Sequence, residues 1–221
     1  MKLNVLYEDN HLVAVFKPAG VLTQGDKTGD ASLMDEVKKY LKEKYRKPGN
    51  VFLGLLHRLD RPVSGIILFA KTGKGASRLS EQFRNRSVKK IYHAIVIGKP
   101  EKDKGEFVNY LKKNEEVKRA EITKEGEGQL AELIYEIIES NGKYSLLKIR
   151  IKTGRFHQIR VQLAAAGFPI LGDVKYGAKS ALPDRNIALS ATALSFQTAT
   201  TKEKKEISIP IPAEWQKYIK N

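Results

Sequence analysis

The chain has 221 residues, 41% of them hydrophobic, which is enough to form one large folded domain or two small ones. It contains no cysteine, which excludes disulfides and thiolate metal or redox sites, and the spacing of its four histidines does not fit a metal site. Forty Lys or Arg against twenty-five Asp or Glu give a net charge of +15, more than solubility requires, and this excess indicates a polyanionic partner such as nucleic acid.

The N-terminal part of the chain predicts a pair of strands followed by a basic turn. The first residues lack an apolar signal segment, and no later run approaches the ~20 apolar residues of a membrane span. We therefore expect a cytoplasmic protein with no membrane partner. Residues 4–16 predict two strands around a turn at Glu8-Asp9-Asn10, and the sequence Lys17-Pro18-Ala19-Gly20 then predicts a stiff basic turn.

Residues 32–45 predict an amphipathic helix. Ser32 is a suitable N-cap, and Asp35 and Glu36 fall in the first turn, where negative charge is favourable. Apolar residues recur every four positions and should face the core, whereas most of the remaining positions are basic. A solvated face and a phosphate-binding face are both compatible with those lysines.

The stretch from Val51 to Lys71 places charged residues between two apolar runs. Runs of this length next to Gly and Pro favour buried strands, and Ser64-Gly65 favours a turn. The charged connection carries His57, Arg58, Asp60 and Arg61. The flanking positive charges favour the ionised form of Asp60, which suits a nucleophile or a base. A solvated ion pair without function fits the same residues.

The second half of the chain predicts mostly strands. Residues 88–97 predict a strand that contains Tyr92, and residues 99–128 predict a charge-balanced excursion from the core with two short strands. The dipeptide Asn141-Gly142 predicts a hairpin between residues 130–139 and 143–152. Near the C-terminus, residues 207–211 predict a strand and residues 212–219 a short helix.

Residues 153–166 predict a helix capped by Thr153, with an apolar face formed by Phe156 and Ile159. His157 and Arg160 lie three positions apart and share the neighbouring face, and Arg155 precedes them. From the residues alone, a surface pair on an amphipathic helix explains this pattern equally well. The turn-rich segment that follows contains Asp173 and Tyr176, which we interpret as structural residues.

The combined pattern resembles the RluA-type RNA pseudouridine synthases. His57-Arg58-Leu59-Asp60 with Ser64-Gly65 is similar to the family signature, although Val63 stands where the family commonly has Thr. Three further elements occur in the family's order: the Lys17-Pro18-Ala19-Gly20 turn, the Lys-x-Tyr-x-Ala pattern around Tyr92, and the Gly154-to-Arg160 segment. The resemblance covers nearly the whole chain, from about residue 5 to residue 212.

The resemblance implies an α+β pseudouridine synthase fold, with a mixed, largely antiparallel sheet, flanking helices and a basic cleft. We expect residues 1–221 to form a single catalytic domain without the S4 domain that many relatives carry. The implied catalytic residues are Asp60 as the carboxylate, Tyr92 stacked on uracil and Arg160 paired with Asp60. We also expect contacts with RNA from Lys17, His57, Arg58, Arg155 and His157.

The implied activity is isomerisation of specific uridines in structured ribosomal or transfer RNA, without metal or cofactor. Because the sequence has no coiled-coil seam, we expect a monomer. The reaction is neither redox nor phosphoryl transfer, and the sequence has no dinucleotide fingerprint or phosphate-binding loop. A catalytically inert RNA-binding protein of the same fold is the main alternative. A nucleoside or sugar hydrolase is a second alternative, but no second acid lies close in sequence to Asp60.

Overall fold

A computed structural model describes residues 3–220, and within them the chain forms two compact units. The first unit contains residues 3–88 and 193–209, and the second contains residues 89–192 and 210–220. The helices of this part of the chain are α1 (Leu33–Lys44), α2 (Gly73–Arg84), α3 (Gln158–Ala165) and α4 (Gln216–Ile219). The strands are β1 (Val5–Glu8), β2 (Leu12–Lys17), β3 (Gly54–Leu55), β4 (Ser64–Ala70), β5 (Lys89–Ile97), β6 (Lys104–Asn114), β7 (Arg119–Thr123), β8 (Gln129–Ser140), β9 (Tyr144–Ile151), β10 (Leu189–Gln197) and β11 (Lys204–Ser208).

The first unit is built around β4, whose side chains are almost all buried. β4 pairs antiparallel with β2 and with the short β3, while β1 continues the sheet beyond β2. β11 pairs antiparallel with β10. Helix α2 packs against this sheet and contributes Leu79 to a core that includes Leu12, Leu68 and Phe196.

The second unit is an antiparallel sheet in the order β5-β9-β8-β6-β7. Helix α3 packs over β6 and β7, where Val161 joins a small core with Leu111, Ala120 and Ala131. The strands β8 and β9 form the hairpin that Asn141-Gly142 predicted, and the terminal α4 packs on β9. These features confirm the predicted α+β class with a largely antiparallel sheet.

Local signals predicted some elements well and others poorly. Helix α1 begins after Ser32, whose hydroxyl and backbone form a reciprocal cap with Asp35, as predicted. The apolar run before the charged connection was predicted as a buried strand, but only Gly54–Leu55 is strand and Phe52 is exposed. The predicted turn at Ser64-Gly65 is also wrong, because both residues lie within β4. The single-domain organisation and the basic cleft stay predictions.

Candidate active site

Asp60 lies on a tight turn between β3 and β4 in the first unit. The backbone N–H of Val63 donates to the Asp60 carbonyl at 3.0 Å, which closes the turn over Arg61 and Pro62. Asp60 is half-buried, whereas the Arg58 side chain is exposed. The turn therefore offers a carboxylate with an exposed guanidinium two residues before it, as the sequence predicted.

The backbone on both sides of Asp60 is held by residues 17–23. The Thr23 hydroxyl donates to the Leu59 carbonyl at 2.9 Å and accepts from the Leu59 N–H at 3.2 Å. On the other side, the Gly20 N–H donates to the Arg61 carbonyl at 2.8 Å, and Arg61 Nε returns a bond to the Gly20 carbonyl at 2.9 Å. Because its two neighbours are fixed, Asp60 has a defined backbone position before any substrate arrives.

Lys17 is a buried structural residue, so the predicted contact between its side chain and RNA is wrong. It is fully buried, and its Nζ donates to the carbonyls of Pro18, Val21 and Arg61 at 3.1, 2.7 and 3.1 Å. These three bonds use every N–H of the ammonium. Burial lowers the pKa of Lys17 to about 7, although the negative charge of Asp60 partly opposes that effect.

His57 is also used inside the protein. The backbone N–H of Leu68 donates to His57 Nε2 at 3.0 Å, so this nitrogen carries no proton. The ring stacks on Phe83 of α2, with 5.0 Å between the ring centroids. His57 thus ties the charged turn to β4 and α2, and its predicted contact with RNA stays a prediction.

In the second unit, Tyr92 lies in the middle of β5, directly opposite Ile149 of β9. Its residue exposure is 7%, so most of the side chain is packed inside the protein. A strand position of this kind fixes the ring well, because neighbours on both sides restrict its rotation. Stacking of Tyr92 on uracil stays a prediction.

Arg160 of α3 forms a buried bidentate ion pair with Asp173. Arg160 Nε lies 2.7 Å from Asp173 Oδ2, and Nη2 lies 2.8 Å from Oδ1. Both residues are at least 95% buried, so the pair exchanges little with solvent. Sequence reasoning treated Asp173 as structural and did not find it as the partner of Arg160. The predicted pairing of Arg160 with Asp60 stays a prediction.

Helix α3 starts later than predicted, and Thr153 does not cap it. The helix begins after His157, whose φ of 51° is left-handed and which makes no side-chain cap. The Thr153 hydroxyl instead accepts from the Glu132 N–H at 2.9 Å and donates to Gln158 Oε1 at 2.7 Å. Gln158 Oε1 also accepts from the Arg155 N–H at 3.0 Å, so this network holds the segment before α3.

His157 and Tyr176 form a second network beside the Arg160–Asp173 pair. The Tyr176 hydroxyl accepts from the Ala120 N–H at 2.7 Å and lies 2.8 Å from His157 Nδ1. Burial and the positive charge of Arg160 lower the pKa of His157 to about 3, so the ring is neutral at neutral pH. A neutral His157 shares a hydrogen bond with the Tyr176 hydroxyl through Nδ1 and cannot attract phosphate by charge. Its predicted contact with RNA is therefore limited to hydrogen bonding or packing.

Arg155 holds part of its guanidinium against the protein. Its Nε donates to the Leu130 carbonyl at 3.0 Å, and the side chain is half-buried. A guanidinium bound through Nε still has its two terminal nitrogens as donors. The predicted contact between Arg155 and RNA stays a prediction.

Two kinds of feature are absent from residues 3–220. No group of three or more His, Cys, Asp or Glu side chains in this part of the chain is arranged to hold a metal ion. Among the same residues, no helix has the length and apolar character needed to cross a membrane.

Comparisons with known proteins agree on one family. A family model described as RNA pseudouridylate synthase matches residues 11–165. The chain is similar to ribosomal large subunit pseudouridine synthase C of Buchnera aphidicola subsp. Schizaphis graminum, with 32% identity over 98% of this chain and 69% of that protein. It is also similar to the uncharacterised RNA pseudouridine synthase YhcT of Bacillus subtilis, with 33% identity over 96% of this chain and 70% of that one.

Solved structures show the same fold. The human RNA pseudouridylate synthase domain containing 4 superposes with a TM-score of 0.79 at 23% identity, covering 96% of this chain and 90% of that chain. The human RNA pseudouridylate synthase domain containing 1 gives a TM-score of 0.77 at 24% identity and covers 96% of this chain and 84% of its own.

Proposed function

The chain belongs to the RluA-type RNA pseudouridine synthases, a family of isomerases that act on RNA, and we propose that Asp60 is its catalytic carboxylate. The observation that carries this proposal is the fixed Asp60 turn. Thr23 holds Leu59, Gly20 holds Arg61, and buried Lys17 holds the loop that contains Gly20. So much support for one short turn indicates that the position of Asp60 matters for chemistry.

The reaction explains why an ionised carboxylate is needed. The N-glycosidic bond of uridine breaks, the base turns, C5 bonds to C1′, and the proton on C5 leaves. A carboxylate can serve as the nucleophile, or as the base that starts a glycal-type path. Both roles require Asp60 to be ionised and oriented toward the sugar. The proposal includes both roles.

Two residues of the second unit have supporting roles in the proposal. Arg160 would keep Asp60 ionised and oriented, and its own position is fixed by the buried pair with Asp173. Tyr92 would pack on the uracil base, which its fixed place in the middle of β5 favours. Each role is a direct contact with Asp60 or with the substrate.

We propose that the substrates are uridines in structured RNA, either ribosomal or transfer RNA. The net charge of +15 supplies attraction to the phosphate backbone, and a relative's name refers to the large ribosomal subunit. A paired uridine must leave its stack to reach Asp60, at a cost of a few kcal/mol. The Arg58 guanidinium, which is exposed, would stack in the vacated space or hold the displaced strand.

The same proposal includes a monomer that acts in the cytoplasm. The name of the Buchnera relative refers to the large ribosomal subunit. An enzyme that acts on the RNA of that subunit in a bacterium would meet it in the cytoplasm. The sequence has no coiled-coil seam to drive dimer formation. Light scattering coupled to size-exclusion chromatography would give the mass in solution.

The experiment that tests the function is tritium release from RNA labelled at uridine C5. The RNA is taken from cells that lack the protein and is separated into ribosomal and transfer RNA pools. Release from one pool is the expected result, and mapping the product then identifies the uridine. Absence of release from both pools would contradict the proposal, and release of free uracil would indicate a hydrolase instead.

A further inference from the structure

The C-terminal end of α1 concentrates positive charge on a well-supported surface. Within residues 38–47, six side chains are Lys or Arg, and only Glu43 is acidic. Five of these basic residues are exposed, and one of them, Lys44, is paired with Glu8. We refer to the other four as the α1 basic surface: Lys39, Lys42, Arg46 and Lys47. Within residues 3–220, none of these four takes part in an ion pair.

The nearby carboxylate of Glu8 is already used by other cations. It accepts from Lys71 Nζ at 2.6 Å and from Lys44 Nζ at 2.7 Å, and its side chain is only 9% exposed. Glu8 is therefore shared by Lys44 and Lys71, and within residues 3–220 it forms no ion pair with the α1 basic surface. Uncompensated cations on one face favour a polyanion as the partner.

Tyr45 connects the buried network to the surface. Its hydroxyl donates to Glu8 Oε1 at 2.7 Å and accepts from Lys71 Nζ at 3.1 Å, while 46% of the residue is exposed. The Lys47 ammonium lies 5.7 Å from the centre of the ring. The hydrogen bonds of Tyr45 thus hold the end of α1 against the protein, so the exposed cations next to it have a fixed backbone position.

Arg46 occupies a backbone position that usually selects glycine. Its φ is 47°, and it lies just past the end of α1, where Lys47 N–H bonds to the Lys42 carbonyl and Arg46 N–H to the Glu43 carbonyl. This is the helix ending in which glycine is preferred, because a side chain is disfavoured at positive φ. Arg46 can therefore be replaced by Gly without harming the backbone, which makes its side chain a clean target for a test.

Helix α1 also joins this surface to the Asp60 turn. At its start, the Leu33 N–H donates to the Leu22 carbonyl at 2.8 Å and the Met34 N–H to the Thr23 carbonyl at 3.1 Å. Thr23 is the residue that holds Leu59 beside Asp60. Twelve helical residues span about 18 Å, so the far end of the basic surface, at Arg46 and Lys47, lies on the order of 20 Å from the Asp60 turn.

We propose that the α1 basic surface binds RNA phosphates on the order of 20 Å from the target uridine. This inference rests on the proposed function, because it assumes that the target uridine is at Asp60. The surface binds the sugar-phosphate backbone and does not read base sequence. It acts as a second point of attachment, which helps to present a large structured RNA to the catalytic turn.

The test compares two triple variants of the full chain. The first, Lys39→Gln/Lys42→Gln/Arg46→Gly, removes three charges from the α1 basic surface. The matched control, Lys202→Gln/Lys204→Gln/Arg86→Gly, removes three exposed charges elsewhere in the first unit, and Arg86 is also a left-handed Arg just past a helix, with a φ of 61°. Affinity for labelled ribosomal and transfer RNA is measured over a range of salt concentrations, together with kcat and KM for tritium release.

We expect the first variant to bind RNA about tenfold more weakly, with the slope of log affinity against log salt shallower by about two to three. KM should rise while kcat at saturating RNA is unchanged, and the control should lose less than about threefold in affinity. Equal losses in the two variants would overturn the proposal, because they would reflect total charge alone. A lower kcat at unchanged KM would also overturn it.

Single variants keep the test valid if a triple variant unfolds. Arg46→Gly should keep the thermal midpoint and still lose RNA affinity relative to Arg86→Gly, and equal affinities of these two proteins would overturn the proposal. The proposed function is tested separately by wild-type turnover. If the wild type released no tritium, the isomerase proposal would fail, whereas the difference in binding between the variants would still decide whether the surface binds RNA.

Discussion

At the residue scale, several charged side chains of this protein hold other groups in place. Lys17 donates to three backbone carbonyls, and Asp173 holds the Arg160 guanidinium through two bonds. Lys17 uses all three of its N–H groups and Arg160 is held at two points of its guanidinium, so each buried side chain has one preferred position. Asp60 and its proposed partner Arg160 are therefore both held in place by buried residues, Lys17 and Asp173, whose role does not require contact with RNA.

Asp173→Asn tests the support of Arg160. Asparagine keeps the shape of the side chain but removes its charge, and a buried guanidinium without a full counter-charge should destabilise the fold by about 3 kcal/mol. We also expect a lower kcat, because Arg160 is then held less firmly. Urea unfolding and tritium release measure the two effects. The control is Asp184→Asn, an exposed left-handed position that asparagine also tolerates. Equal unfolding midpoints for the two variants would contradict this role of Asp173.

Sequence reasoning placed Asp60 on a loop, as the structure has it, but did not predict the burial of Lys17. The position of Asp60 follows from local signals, since apolar runs on both sides and Pro62 place it on a loop. Lys17 can be buried because three backbone carbonyls accept hydrogen bonds from its ammonium. One of these carbonyls belongs to Arg61, forty-four positions away along the chain. A sequence pattern shows that a lysine lies in a turn, but it does not show which distant carbonyls meet its ammonium.

At the element scale, helices were predicted well where their signals are local. α1 has its cap, its first-turn acids and its apolar period within its own sequence. α3 was placed wrongly because Thr153 looks like a cap, yet the Glu132 N–H of β8 occupies its hydroxyl. The last strand was predicted at residues 207–211, but β11 ends at Ser208, before Pro210, which cannot donate to a strand ladder.

Glu8→Gln tests the anchoring of α1 through the pH dependence of stability. Burial would raise the pKa of Glu8, but hydrogen bonds led by those from Lys44 and Lys71 outweigh it and lower the pKa to about 2. The folded value lies below the ordinary value of 4.5, so the stabilisation is complete above about pH 5 and is lost as the pH falls toward 2.

The wild type should therefore lose up to about 3 kcal/mol more stability than Glu8→Gln between pH 5 and pH 2. Urea unfolding at several pH values measures this difference. Glu81→Gln, at an exposed position of α2, is the control and should follow the wild type. Parallel pH curves for wild type and Glu8→Gln would contradict the anchoring role.

At the scale of the whole molecule, the proposed function assigns affinity for RNA and catalysis to different residues. The excess of +15 provides attraction to RNA that does not depend on sequence and that weakens as salt rises. The Asp60 turn contributes a single carboxylate, whose removal changes this total charge very little. Binding and turnover can therefore be separated by one substitution, which also distinguishes an enzyme from an inert RNA-binding protein of the same fold.

The most direct test of the central claim is turnover by Asp60→Asn, measured beside Asp103→Asn. Asp103 is an exposed acid of the second unit, so its variant has the same change in charge. We predict that Asp60→Asn releases no tritium from C5-labelled RNA yet binds that RNA within about threefold of the wild type. Asp103→Asn should retain normal turnover. Measurable turnover by Asp60→Asn, close to that of Asp103→Asn, would show that Asp60 is not the catalytic carboxylate.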